Sequence, residues 1–421
     1  MNKARKLSVP VLLSLILIFL LLAVGLSPEF YLAATVGIFL WWAMLGASVL
    51  HLRVRPYLSD LLLILVSTTV MSMIVFGTWG FESKFRMVCS FLGLSSVGVL
   101  GARACWAEGE ERTKMLWAFL PALLFVGVGW LSGTLLYYSN QAHATTLDMY
   151  LLSFDCSLGV QPSFWMGNWY WTWPWVRHFG LIFYDGLPIL IAASYAEHLV
   201  CKREKALPVF LALFYLAPVG VLFYNFFPSA GPIGIFQGDF PFHPLTLMEG
   251  KHVFLERVAA PGPRNAMPSL HMSWVLLCWW YARGLSWKIK TMTLTFVIFT
   301  VITTLGTGEH WLIDLIVAFP FTLMFFAVFC FSLSWNDRER VRSILIGLGL
   351  TFAWFALLRF GTHLFWPSPV IPWTLMAATV AVVYLQRHRL LRTLDAKEIE
   401  EHSAAGSAAT TAGVVPSLAM E

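Results

Sequence analysis

Apolar runs of about 20 residues, the length that a hydrocarbon core demands, recur along the whole chain and are separated by short polar or basic links. They predict twelve membrane spans, near 9–26, 30–50, 58–76, 87–106, 116–137, 176–200, 207–228, 268–283, 289–306, 309–332, 343–363 and 369–386. The expected fold is therefore all-α, a polytopic membrane helical bundle. The first run follows Lys3, Arg5 and Lys6, as a signal peptide would. Its apolar core is longer than a signal core and a second run follows almost at once, so it reads as a span. Two loops, 138–175 and 229–267, are long for a compact protein, which points to function rather than mere connection. The end of the chain, 393–421, reads as a disordered tail that is rich in Ala, Ser, Thr and Gly after His402.

Composition sharpens the class. With 58% hydrophobic and 12% charged residues the chain lies far outside soluble averages. Its 34 Phe, 20 Trp and 12 Tyr suit a protein with many interfacial ends, where amphipathic rings settle at headgroup level. The six cysteines show neither a disulfide framework nor a zinc spacing, since all but Cys156 lie in or beside apolar runs.

The net charge of +5 reads as topology rather than nucleic-acid binding, because Lys and Arg cluster between alternate spans. If the amino terminus is cytoplasmic, the inside links and tail hold 21 of the 28 Lys and Arg, which satisfies the positive-inside tendency throughout. Both termini are then cytoplasmic. The outer loop 229–267 departs from the tendency with Lys251, Arg257 and Arg264, in a Pro- and Gly-rich stretch. An anionic substrate group would account for cations displaced to that side, since a guanidinium fork matches phosphate oxygens. Solvation of the loop or contact with lipid headgroups accounts for them equally well.

Two segments carry the candidate chemistry, Pro268-Ser269-Leu270-His271 and His310-Trp311-Leu312-Ile313-Asp314, each at the head of a span entered from outside. Ser269 alone is explained as a helix cap and Pro268 as a first-turn residue. His271 is not, because it would sit one turn inside an apolar helix near free backbone amides, where an anion is favoured. His310 and Asp314 are four residues apart, so on a helix they would share a face and the carboxylate would hold the imidazole. Ionisable groups at the edge of the hydrocarbon are costly enough to make function the first hypothesis.

The strings Ala266-Met267-Pro268-Ser269-Leu270-His271 and Gly308-Glu309-His310-Trp311-Leu312-Ile313-Asp314 resemble the second and third signature motifs of the type 2 phosphatidic acid phosphatase superfamily. Leu270, where many members have Gly, resembles the inositol phosphorylceramide synthase-like branch. So do Leu147-Asp148, Phe154-Asp155-Cys156-Ser157-Leu158-Gly159 and Phe227-Pro228-Ser229-Ala230-Gly231-Pro232. The resemblance covers roughly 116–333, as a six-span catalytic core. Residues 1–115 would then be four added spans, 334–392 two more, and 393–421 the tail.

That resemblance implies His310 as the nucleophile taking the phosphoryl group, Asp314 as its orienting carboxylate and His271 as the acid for the leaving alcohol. A phosphohistidine divides one hard displacement into two, and the second can use another alcohol or water as acceptor. It implies a lipid phosphotransferase of the inositolphosphotransferase kind, active on phospholipid or sphingolipid, and the charge topology places its site at the periplasmic, lumenal or exterior face. The alternative is a lipid phosphate phosphatase. No cofactor and no metal is expected, and no nucleic-acid partner. Two superfamily features are missing: a Lys followed seven residues later by Arg-Pro, and a Ser-Arg shortly before the third-motif His, where Thr307-Gly308-Glu309 stands instead. The candidate phosphate-binding residues are therefore Ser269, Arg264 and Arg257. A proton-coupled transporter is the reading from another class, since twelve spans and membrane-embedded acids suit one, but the paired broken helices and repeat symmetry of many transporters are not visible.

Overall fold

The computed structural model describes residues 38–75, 81–201 and 206–412, and the chain is an all-α membrane helical protein, with one two-residue strand pair among the described residues. The run expected at 9–26 lies outside the described residues. Four helices open the described chain: α1 (Ile38–Arg53), α2 (Leu58–Val75), α3 (Phe81–Trp106) and α4 (Gly109–Ala142). They pack through small residues, as helices without a water-driven core must. Gly93 of α3 lies directly against the Met44 carbonyl of α1, and Ser96 donates to Ser48 at 3.2 Å. Meanwhile α2 turns Leu62, Leu65 and Met73 outward, an exposed apolar face that suits lipid and not water.

The long loop after α4 forms a short strand β1 (Thr145–Thr146) and the helices α5 (Asp148–Ser157) and α6 (Pro162–Thr172). Next, α7 (Pro174–Asp185) and α8 (Leu187–Cys201) occupy the run expected as one span at 176–200, but bend by 50° at Gly186. Pro188, lacking an N–H, cannot continue the ladder of α7. α9 (Ala206–Tyr224) follows, then the second long loop with α10 (Pro232–Phe236), α11 (Leu247–Lys251) and strand β2 (Val258–Ala259). β2 pairs antiparallel with β1, Thr145 opposite Ala259, so the two long loops are stitched together.

The remaining helices are α12 (Leu270–Tyr281), α13 (Trp287–Gly306), α14 (Leu312–Val328), α15 (Arg338–Phe360) and α16 (Val370–Ala412). Among the described residues, five helices are long and apolar enough to cross a membrane, six with the bent pair counted as one. Part of the difference from the twelve runs lies at α12 and α14, which start inside the loop cluster and are correspondingly short; the run at 9–26 and the start of that at 30–50 lie outside the described residues. The tail expected from 393 is helical as far as Ala412, a continuation of α16.

Two cores result. One gathers Leu100, Ala118, Tyr195 and Leu199 from α3, α4 and α8. The larger gathers Leu216, Val275, Leu277, Trp311, Phe321 and Leu358 from α9, α12, α14, the site loop and α15. α8 contributes to both, and Arg53 ties α1 to it through Glu197 at 2.7 Å.

Candidate active site

Two helix beginnings define the site. α12 starts after Ser269, whose extended backbone makes it the N-cap and whose Oγ accepts from the Met272 N–H at 3.3 Å. α14 starts after Trp311, and the Asp314 carboxylate accepts the Trp311 N–H at 2.7 Å. The two starts are laced together, since the Ser269 N–H donates to the Asp314 carbonyl at 3.2 Å. His310 therefore precedes its helix instead of lying on it. The expected shared helical face of His310 and Asp314 is corrected accordingly: Asp314 is a cap-forming residue that reaches back toward the ring.

The buried imidazole is held at both nitrogens. Nδ1 lies 2.8 Å from the Ala266 carbonyl, an acceptor only, so Nδ1 carries the proton. Nε2 faces Ser269 Oγ at 3.3 Å and presents a lone pair. Asp314 Oδ2 stands 3.5 Å from Nδ1, too far for a good hydrogen bond. Burial pushes the His310 imidazole from 6.5 down to about 4, with Glu309 and the Ala266 carbonyl pulling the other way, so the ring is neutral at pH 7. A neutral imidazole with Nδ1 protonated and Nε2 free of a proton is set up to attack through Nε2.

Against the Trp311 indole sits Asp148, a fully buried carboxylate that no sequence argument gave a role. It accepts from the Ala230 N–H at 2.8 Å, the Gly231 N–H at 3.0 Å and the Trp311 indole N–H at 2.9 Å. One side chain thus fixes both the 229–231 loop and the residue beside His310. Burial pushes its carboxyl up and these N–H groups pull it back. Asp155 on the same helix is also buried; burial and the neighbouring Asp314 drive it well above the ordinary carboxylate range, opposed by the backbone amides of Leu312 and Ser163.

His271, in the first turn of α12, stacks on Tyr184 with ring centroids 4.0 Å apart, and its Nδ1 is 3.1 Å from the Tyr184 hydroxyl. That hydroxyl also donates to Glu309, the residue before His310. Tyr184, His271 and Glu309 border a cavity of about 520 Å³. From this polar end the cavity runs along apolar walls past Leu187, Ile191 and Phe210, and Ala43 of α1 with Phe125 and Leu136 of α4 help to enclose it.

Of the residues singled out in the sequence, Ser269, His310 and Asp314 are brought together, while His271 reaches the site from the cavity side. The two arginines are elsewhere. Arg264 is buried with donors on the carbonyls of His143 at 2.9 Å, Gly262 at 2.5 Å and Ala144 at 3.3 Å, so it ties the two long loops beside the strand pair. Arg257 is exposed, and neither arginine lines the cavity. Reasoning from sequence missed Asp148, Tyr184 and Glu309 as partners. Asp148 had a signal in the strings around 147 and 227–232, whereas Tyr184 had none.

Residues 149–328, from α5 through α14, match the family model of the PAP2 superfamily. That superfamily is one of phosphatases and phosphotransferases, so the matched segment supports an enzyme of this type. The match takes in Ser269, His271, His310 and Asp314, starts one residue after Asp148, and leaves α1–α4, α15 and α16 outside. No curated protein and no solved structure matches the chain.

Proposed function

We propose that this enzyme transfers a phosphoryl or phospho-headgroup between lipid hydroxyls through a phosphohistidine at His310. The observation that carries the reading is the imidazole tethered through Nδ1 to the Ala266 carbonyl, which leaves Nε2 as the attacking nitrogen. In the first step the Nε2 lone pair forms the N–P bond, and the departing oxygen keeps the P–O electrons and takes a proton from His271. In the second, a hydroxyl gives its proton to His271, attacks phosphorus, and returns the N–P electrons to Nε2. Asp314 stabilises the positive ring between the two steps. Phosphate oxygens are met by Ser269 Oγ and the free amides that open α12, since Arg264 is engaged with carbonyls.

An inositolphosphotransferase-like reaction with a lipid acceptor fits the largely apolar cavity, and water as acceptor would make the same site a phosphatase. The clustering of 21 of 28 basic residues on alternate links supports a site on the periplasmic, lumenal or exterior face with both termini cytoplasmic. The test uses purified protein with phosphatidylinositol or phosphatidic acid labelled with ³²P, with and without ceramide or diacylglycerol. An acid-labile label on the protein, lost in His310→Ala, is the expected result, with label passing to the acceptor lipid. Full turnover in His310→Ala would refute the reading.

A further inference from the structure

The Tyr184 hydroxyl has a single proton and two neighbours, the Glu309 carboxylate and His271 Nδ1. A carboxylate can only accept, so that proton belongs to the bond with Glu309. Toward His271 the hydroxyl must then act as acceptor, and Nδ1 must carry a hydrogen. We propose that Tyr184 and Glu309 form a relay that fixes the tautomer of His271 and stabilises its imidazolium, making them positioning residues for proton transfer to the leaving oxygen. This deepens the phosphohistidine reading and rests on it.

The arrangement supplies what His271 otherwise lacks. It stands at the head of an apolar helix, beside a cavity whose remaining walls are mostly hydrocarbon. A cationic ring there is costly without a counter-charge. Glu309 provides that charge one hydroxyl away, in the manner in which a carboxylate supports a catalytic imidazole. The ring starts as the imidazolium, with hydrogen on both nitrogens; when the P–O bond breaks, the departing oxygen takes the Nε2 proton, while Nδ1–H remains hydrogen-bonded to the Tyr184 oxygen and the hydroxyl proton to Glu309. When the incoming hydroxyl attacks, Nε2 takes its proton back. No proton leaves the relay in either step. The stacking of Tyr184 on the His271 ring, tilted by only 22°, keeps the pair in register through both.

Tyr184→Phe and Glu309→Gln test this with two substrates that differ in their need for an acid. Dioctanoyl phosphatidic acid has a poor alkoxide leaving group, whereas 4-nitrophenyl phosphate has one that departs without a proton. Both variants should lose on the order of 100-fold in kcat on phosphatidic acid at nearly unchanged KM, in line with general acid catalysis. In the initial burst of 4-nitrophenolate from 4-nitrophenyl phosphate, which reads the first step alone, they should stay within about threefold of wild type, because that leaving group departs without a proton. Equal losses on both substrates would mean a merely structural role and overturn the relay, as would full activity on phosphatidic acid. His310→Ala separates the underlying reading, since turnover of either substrate by that variant refutes the phosphohistidine whatever the relay variants do. A wild-type protein inactive on both substrates counts against both.

Discussion

Asp148 offers the sharpest test of how the site is held, because a single carboxylate accepts three N–H groups in a fully buried position. Asp148→Ala leaves those three donors without acceptors, at about 1–3 kcal/mol each, so about 3–9 kcal/mol in total against a typical folding stability of about 5–15 kcal/mol. Asp148→Asn keeps one oxygen, enough for Gly231 and Trp311, which share Oδ1. Its amide nitrogen then faces the Ala230 N–H, and the surviving bonds lose their charge assistance, a cost of about 2–4 kcal/mol. Trp311→Phe removes only the indole donor, at about 1–3 kcal/mol. The expected order of destabilisation is Asp148→Ala, then Asp148→Asn, then Trp311→Phe, measured by thermal unfolding in detergent. Since Trp311 is bonded in sequence to His310, a shift of about 1 Å also implies a turnover loss near 100-fold per folded molecule. The Asp148→Asn/Trp311→Phe double mutant should show a coupling of about 0.5–3 kcal/mol. Wild-type stability and turnover in Asp148→Asn would refute a role for this carboxylate in holding the proposed nucleophile in place.

Three further outcomes follow from the geometry. Turnover should fall as pH drops through about 4, where His310 gains a proton and loses its lone pair; because the unfolded ring titrates near 6.5, stability is complete above that value and erodes by about 3 kcal/mol as pH falls to about 4, readable from unfolding midpoints. Arg264→Lys keeps the charge but replaces three separate donors with one nitrogen, so at least two charge-assisted bonds of about 1.5–3 kcal/mol each are lost; the unfolding midpoint should drop while kcat per folded molecule holds, and the opposite pattern would return Arg264 to the substrate. Gly93→Val forces a side chain against the Met44 carbonyl and should destabilise the α1–α3 contact by about 1–3 kcal/mol, seen as a lower unfolding midpoint.

Hydrophobic runs made the helices legible because a membrane imposes one length and one polarity on each span. The expected 289–306 and 343–363 are met by α13 and α15 within a few residues. The predictions failed where local chemistry overrode apolarity. Pro188 and Gly186 break the run at 176–200, and the Asp314 cap moves the start of α14 to Leu312, leaving His310 outside the helix. In the site, His271, His310 and Asp314 could be singled out because ionisable residues stand out against hydrocarbon. Tyr184 could not, being 87 residues from His271 and 125 from Glu309 and looking like any aromatic in an apolar helix. The displaced positive charge of Arg264 suggested an anion, but charge alone cannot distinguish a phosphate from three backbone carbonyls.

The cavity wall contributed by Ala43, Phe125 and Leu136 comes from α1 and α4, which lie before the segment that holds the histidines. Accommodation is therefore written partly outside the stretch that carries the histidines. Replacing side chains on α1 or α4 can reshape the space offered to the proposed lipid substrate while the His310 hydrogen bonds stay untouched. A lineage, or an engineer, can thus change what this enzyme admits without relearning how it reacts, and a fragment confined to the catalytic helices would present its cavity open along one side.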